Sequence, residues 1–480
     1  MEKISNPSPP HVIIFPFPVQ GHVNSMLKLS EILSLAGIHV TFINTQQNEE
    51  RLFKFTDIQA RFKKYSGFRF MSIQDGMNRD SSLKFDLKDL LDSMERTSKP
   101  EFKQLLADIR PRVDCIIGDG VPGFILEIAV EVGMPIILFR TISGCCFWVY
   151  FCILDMIQAG ELPIRGEEDM DRLITKVPGM ETFLRCRDLS SICRTTNMED
   201  CDLQVLMNVT RNSPQAQALI LNTFEDLEGP ILSQIRNHCP KLYSIGPLHE
   251  LLNSKLKDHQ SSNSLWEVDR NCMTWLDRQV TDSVIYISFG SITIITQEQF
   301  IELWHGIANS KIPFLWVTRP DSITNLNHEK FLEELLKEGE KENGYIVKWA
   351  PQEEVLAHKS VGGFLTHSGW NSSLESIVSG VPMICWPYFA DQQVNSRFVS
   401  EIWNLGLDMK DVCDRKIVEK MVNDLMVNKR DEFVKFSSRM AELARKSVSE
   451  GGSSWRNLDR LIEHITMISM QGHHEYDRLS

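Results

Sequence analysis

Two consecutive α/β domains, each an open, doubly wound parallel sheet with helices on both faces, are what this sequence predicts. Three observations carry the prediction. Short apolar runs rich in Val and Ile alternate with helix-like segments along most of the chain, the pattern of strands buried on both faces and joined by helical crossovers. At 480 residues the chain exceeds what one hydrophobic core usually serves. Midway, over 248–266, it turns polar, Ser/Asn-rich and aperiodic, as a connector does. We therefore read 1–248 as the first domain, 249–266 as the linker and 267–480 as the second domain, with C-terminal helices expected to pack back on the first.

The first domain begins at His11 with HVIIFPFPVQGHVNSMLKLSEILSLAGIHVTFINT: a short apolar strand, a Pro/Gly turn, an amphipathic helix stopped by Gly37, and a second strand. The right-handed crossover rule makes those strands parallel. Further runs at 68–73, 113–118, 134–139 and 218–223 read as strands, separated by helical patterns such as 83–109 and 123–131. A second strand series follows at 284–291, 313–318, 344–349, 362–367 and 381–386. The stretch 415–470 is helical, broken by GGSS (451–454), with Ser453 or Ser454 as an N-cap, and the polar tail after it should fray.

A formal net charge of −13 argues against a nucleic-acid partner, because phosphate backbones are gripped by surplus Lys and Arg. Any phosphate ligand must then be held by backbone N–H groups and local side chains. The opening MEKISNPSPP is polar, the apolar run after it is too short for a signal peptide, and no stretch is long enough to span a membrane. The 11 cysteines are odd in number and form no C-x-x-C pair, which fits reduced core residues of a cytoplasmic protein better than a zinc or disulfide framework.

In open parallel sheets ligands sit beyond the carboxyl ends of strands, where the strand order reverses. His22 stands just after the first strand, placed either as a base near neutral pH or as a helix-end or core histidine. Asp119 ends the run CIIGD, either as the carboxylate that orients His22 or as a turn residue before Gly120. In the second domain the run GGFLTH leads into a helix whose first turn holds Gly369, Asn371, Ser372 and Ser373, with Gly380 as its stop. Free N–H groups and the helix dipole there suit a phosphate without lysine, His367 and Ser372 add donors, and Glu375 suits a ribose diol. The plainer reading of each residue is an ordinary capped helix. SFGS (288–291) is another strand end able to supply donors.

The block 349–392, WAPQEEVLAHKSVGGFLTHSGWNSSLESIVSGVPMICWPYFADQ, resembles the signature of the plant family 1 UDP-sugar glycosyltransferases. WAPQ, HSGWNS, LES, GVPM and ADQ all stand in register, and PVQGH, LNTFEDLE, SIGPL, SFGS and GGSS extend the resemblance over the chain. It implies a GT-B fold, two Rossmann-like domains facing a cleft, with the acceptor on the first, UDP-glucose on the second, and neither a metal nor a separate cofactor. It makes His22 the base and Asp119 its partner. Trp349 would stack on uracil, Ala350 and Gln352 would contact the nucleoside, and Glu375 the ribose. Ser291, His367, Asn371 and Ser372 would hold the diphosphate, while Thr141, Trp370, Asp391 and Gln392 would contact the sugar, Gln392 favouring glucose. The implied reaction is inverting transfer from UDP-glucose to a small lipophilic acceptor by a monomeric enzyme.

One departure is Ser25, where the family often has proline; it reads as a helix-start change that leaves the chemistry in place. The segments 140–164 and 177–189 are similar to the subgroup that includes the iridoid 7-deoxyloganetic acid glucosyltransferases. That implies a terpenoid acceptor taken through a hydroxyl or a carboxylate; a phenolic or flavonoid acceptor is the alternative, and a non-catalytic nucleotide-sugar-binding protein a further one. Phe147, Trp148, Tyr150 and Phe151 line the acceptor pocket or are core, and Arg140, Arg185 and Arg187 meet an acceptor carboxylate or form surface salt bridges. A dinucleotide-dependent dehydrogenase is excluded at the first strand, since PVQGHVNS is no G-x-G-x-x-G.

Overall fold

The computed structural model describes residues 8–77, 86–256, 263–319, 322–324, 334 and 343–479. Its first sheet contains β1 (His11–Phe15), β2 (His39–Thr45), β3 (Phe68–Ile73), β4 (Cys115–Asp119), β5 (Ile136–Arg140), β6 (Ala218–Leu221) and β7 (Leu242–Ser244). They run parallel in the order β3-β2-β1-β4-β5-β6-β7. The second sheet contains β8 (Val284–Ser288), β9 (Phe314–Val317), β10 (Gly344–Val347), β11 (Val361–Thr366), β12 (Met383–Cys385) and β13 (Gly406–Asp408), parallel in the order β10-β9-β8-β11-β12-β13. Every residue of β1, β4, β5, β8 and β11 is buried, which is why these strands read as unbroken apolar runs.

Strand order reverses between β1 and β4 in the first sheet and between β8 and β11 in the second. Loops diverge at these two points and leave a crevice at each carboxyl edge. The carboxyl edges face each other.

The structure corrects several local expectations. Residues Leu248–Lys255 are a helix rather than the start of a linker: Leu248, Leu251 and Leu252 fall at helical spacing and bury completely against the Gln20–Leu35 helix. Residues 257–262 lie outside the described set. The pattern over 83–109 divides into Leu87–Arg96 and Ser98–Asp108 at Thr97, with 83–85 outside the described residues. The final helix, Ser453–Leu479, runs on through the polar tail instead of fraying. Ser453 is its first helical residue, and Ser454 Oγ donates to the Gly246 carbonyl at 2.5 Å, so neither hydroxyl serves as the expected cap. Leu458, Leu461, Ile465 and Ile468 of this helix bury in one cluster with Val12, Ile14 and Ile117 of the first sheet.

Candidate active site

His22 lies in the first turn of the Gln20–Leu35 helix, directly after β1, and Asp119 is the last residue of β4, the strand beside it. Adjacent strands at the switch point therefore bring together two residues 97 positions apart: His22 Nδ1 is 2.6 Å from Asp119 Oδ2. The carboxylate is fully buried and also accepts from Phe17 N–H (3.2 Å) and Val121 N–H (3.0 Å), so it cannot rotate away. An ionised carboxylate only accepts, so Nδ1 carries the proton and Nε2 is the basic nitrogen. Phe17 packs edge-to-face with the imidazole, ring centroids 5.4 Å apart, and Thr141 Oγ1, just past β5, stands 2.9 Å from Nδ1 and 3.2 Å from Nε2. The Thr141 hydroxyl, expected at the sugar, is thus turned to His22.

On the opposite wall, β11 leads through His367 into the Trp370–Ser379 helix, which Gly380 terminates. A Cβ on either Gly290 or Gly369 would fall 2.5 Å from His367 Nε2, so only glycine permits the two turns to close on the ring. Burial, reinforced by the nearby Arg319 cation, pulls the His367 pKa down to about 4. It faces the cleft as a neutral imidazole, so this part of the wall offers N–H and O–H donors rather than a second charge.

Gln352 Nε2 donates to Ser372 Oγ (2.9 Å) and Glu375 Oε2 (2.7 Å), while its Oε1 accepts from Tyr286 OH (3.3 Å). Burial first, and then the charge of Glu353, raise the Glu375 carboxyl to about 7. Burial likewise lifts Asp391 to about 6, with Asn395 Nδ2 donating to it at 2.8 Å. Gln392 Oε1 accepts from Tyr388 N–H (2.8 Å) and Phe389 N–H (3.1 Å), fixing the loop before its helix. Trp349 is stacked on Trp266, ring centroids 5.7 Å apart.

One cleft of about 1000 Å³ is lined by every residue that the resemblance assigns to the base, its partner or the sugar nucleotide except Asp119, which stands behind His22. Ser291 and Ala350 complete its donor side. Sequence reasoning missed four contributors. Trp266 braces Trp349 from within the stretch read as linker, and Lys28 pairs with Glu353 across the cleft. The Asn222 carbonyl accepts from Trp370 Nε1 at 2.8 Å. Ser25 lies in the second turn of its helix, not at the start, and its Oγ is 2.9 Å from Asn371 Oδ1. Helical spacing of 21, 25 and 28 was the available signal for the last.

Other expectations resolve as scaffold. Phe147, Trp148, Tyr150 and Phe151 are buried in the core and do not line the cleft. Arg140 forms no surface salt bridge: it is 1% exposed, donates to the Gly120 carbonyl at 2.6 Å and lies over the Phe147 ring. Arg185 and Arg187 pair with Asp188, Asp171 and Asp411. The motif LNTFEDLE serves packing as well, for the buried Glu228 carboxylate accepts from Gly144 N–H (2.9 Å) and Cys145 N–H (2.7 Å), capping the Gly144–Phe151 helix from a distance. Among the described residues no group of three His, Cys, Asp or Glu is arranged to hold a metal ion, and no helix is long and apolar enough to cross a membrane.

Comparison with known proteins gives a consistent result. Residues 240–438 match the model of the UDP-glucoronosyl and UDP-glucosyl transferases, and residues 10–61 that of a glycosyltransferase N-terminal domain. The chain is 53% identical over 470 residues to a 7-deoxyloganetic acid glucosyl transferase of Catharanthus roseus, covering 95% of this chain and 97% of that protein. It is 42% identical over 465 residues to a myricetin 3-O-rhamnoside 1,2-glucosyltransferase of Crocosmia x crocosmiiflora, with 96% of each chain covered. Among solved structures, Os79 from O. sativa in complex with UDP superposes with a TM-score of 0.81 at 27% identity, over 95% of this chain and 100% of that one.

Proposed function

The chain belongs to the UDP-glucoronosyl and UDP-glucosyl transferase family, and from that premise we propose that it transfers glucose from UDP-glucose, with inversion, to a hydroxyl of a small iridoid-like acceptor. The enzyme is a UDP-glycosyltransferase with the GT-B fold. In our reading the first domain binds the acceptor and the second the sugar nucleotide, and the enzyme acts as a cytoplasmic monomer. The observation that carries the reading is the His22–Asp119 pair, its carboxylate buried and its imidazole open to a cleft whose other wall is the Trp370–Ser379 helix terminus.

The acceptor oxygen attacks the anomeric carbon of the sugar, the bond from that carbon to the diphosphate breaks, and UDP leaves with the bonding pair. The hydroxyl proton passes to His22 Nε2, and Asp119 steadies the imidazolium that results. Backbone N–H groups at the helix N-terminus, with His367, Ser372 and Ser291, take up charge growing on the leaving diphosphate, while the Asn371 amide, expected there, is engaged by the Gly21 carbonyl and the Ser25 hydroxyl. Trp349, Gln352 and Glu375 hold the nucleoside, and Trp370, Asp391 and Gln392 the sugar. The full cations that line the cleft among the described residues, Lys28 and Arg270, are each paired with a glutamate, which favours a hydroxyl over a carboxylate acceptor. The 7-deoxyloganetic acid relatives suggest the iridoid class.

Incubation of the purified protein with UDP-glucose and a panel of iridoid, monoterpenoid, phenolic and flavonol acceptors tests this, read by released UDP and by mass spectrometry of the hexosylated product. Preferential turnover of 7-deoxyloganetic acid or another iridoid, giving a product stable to mild alkali, is expected. An alkali-labile ester would refute the hydroxyl, and turnover of flavonols alone would refute the terpenoid acceptor.

A further inference from the structure

The helix that carries His22 meets the donor wall along one face. Gly21, Ser25 and Lys28 recur at the spacing that aligns positions on one side of a helix, and each touches the second half of the chain. The Gly21 carbonyl accepts from Asn371 Nδ2 at 2.8 Å, Ser25 Oγ lies 2.9 Å from Asn371 Oδ1, and Lys28 pairs with Glu353. Asn222, one residue past β6, adds its own amide nitrogen 3.5 Å from Asn371 Oδ1. These contacts fix which way the Asn371 amide points, nitrogen on a carbonyl and oxygen on a hydroxyl. Ser25 is 2% exposed, so water does not compete for its hydroxyl.

We propose that Ser25 is a positioning residue: its hydroxyl latches the Asn371 side chain onto the turn that presents His22, and so sets the base against the donor's diphosphate site. The proposal rests on the glucosyl transfer inferred above. Gly21 immediately precedes His22, and Asn371 lies between Trp370 and Ser372 in the first turn of the donor helix. The latch therefore acts one residue from each group it aligns. The same hydroxyl lies 3.0 Å from the Gly21 carbonyl on its own helix, so it ties the Asn371 amide to the residue that precedes His22. A proline at this position, with no hydroxyl, could not make the contact.

The test compares Ser25→Ala, Ser25→Thr, Asn371→Ala and the double variant Ser25→Ala/Asn371→Ala in the full-length protein. The readouts are kcat, KM for UDP-glucose, UDP affinity by calorimetry, melting temperature and amide hydrogen exchange. Loss of one buried hydrogen bond should lower kcat of Ser25→Ala by about 3- to 10-fold, with KM and UDP affinity held within about twofold. Ser25→Thr should recover most of that loss, and Ser25→Ala should cost nothing further once Asn371 is already alanine. A general packing defect would instead lower the melting temperature and add to the Asn371→Ala effect; either that pattern or wild-type kcat in Ser25→Ala overturns the latch. Hydrogen exchange decides the matter even if no acceptor turns over: in the ligand-free Ser25→Ala protein the amides of the turns at 21–23 and 370–373 should exchange at least about threefold faster than in wild type, and unchanged exchange there refutes the proposal. Absence of transfer by the wild type would count against the reaction, not the latch.

Discussion

Asp119→Asn and His22→Ala separate the two tasks of the proposed dyad. Asp119 is fully buried, its oxygens accept from Phe17 N–H, Val121 N–H and His22, and its charge offsets that of the buried Arg140, whose bonds to the Gly120 carbonyl and the Thr210 hydroxyl are uncharged. An amide at that position fits neither way round. With its nitrogen toward β1 it opposes Phe17 N–H and His22; turned over, it opposes Val121 N–H. Each unsatisfied donor costs about 1–3 kcal/mol, and loss of the countercharge beside Arg140 adds to this. A total of about 2–4 kcal/mol would lower the melting temperature by roughly 5–10 °C for a unit of this size. His22→Ala instead removes a ring that is partly exposed, leaves both backbone donors on the carboxylate and keeps Arg140 balanced, so its stability cost should stay below about 1 kcal/mol. Both variants lose general-base assistance, which accounts for roughly 10²- to 10⁴-fold in turnover. Calorimetric melting and a UDP-release assay read the two effects independently. Turnover of His22→Ala within threefold of wild type would refute the base, and an unshifted melting temperature in Asp119→Asn would refute the charge balance around Arg140.

Glu375 makes two further pH effects measurable. A carboxylate accepts both ribose hydroxyls better than a protonated acid does, so UDP affinity should rise as pH increases through about 7, and Glu375→Gln should remove the part of that rise not due to the phosphates of UDP itself. Because the folded pKa lies above the unfolded value near 4.5, ionising Glu375 costs stability that accumulates from there to about 7; Glu375→Gln should melt higher than wild type at pH 8 and no higher at pH 4. Gly369→Ala would drive a methyl group to 2.5 Å from His367 Nε2, and should weaken UDP binding at least about tenfold by calorimetry while leaving the first sheet intact to hydrogen exchange. Glu228→Ala strands the Gly144 and Cys145 N–H groups and should cost about 2–4 kcal/mol in denaturant unfolding; a cost under about 0.5 kcal/mol would show the cap to be dispensable.

Most of the strands were legible because burial on both faces writes them as continuous Val/Ile runs. β7 and β13 were not, since three residues at a sheet edge leave no periodic signal. Leu248–Lys255 was hidden by its composition: Leu248, Leu251 and Leu252 stand among polar residues, and their burial depends on meeting the Gln20–Leu35 helix. Arg140 read as a surface residue because charge is usually solvated, yet the Gly120 carbonyl and the Phe147 ring receive it inside the core.

What the sequence by itself determined is one wall of the cleft, because β11, the turn at His367 and the helix Trp370–Ser379 are contiguous and local order places their side chains. Only the tertiary structure decided how that wall meets the rest. His22 and Asp119 pair across 97 positions because β1 lies beside β4, and Ser25 reaches Asn371 across 346 because two carboxyl edges face each other. Periodicity reports which face of an element is buried; it carries no information about which distant element buries it, and that choice belongs to strand order and domain packing.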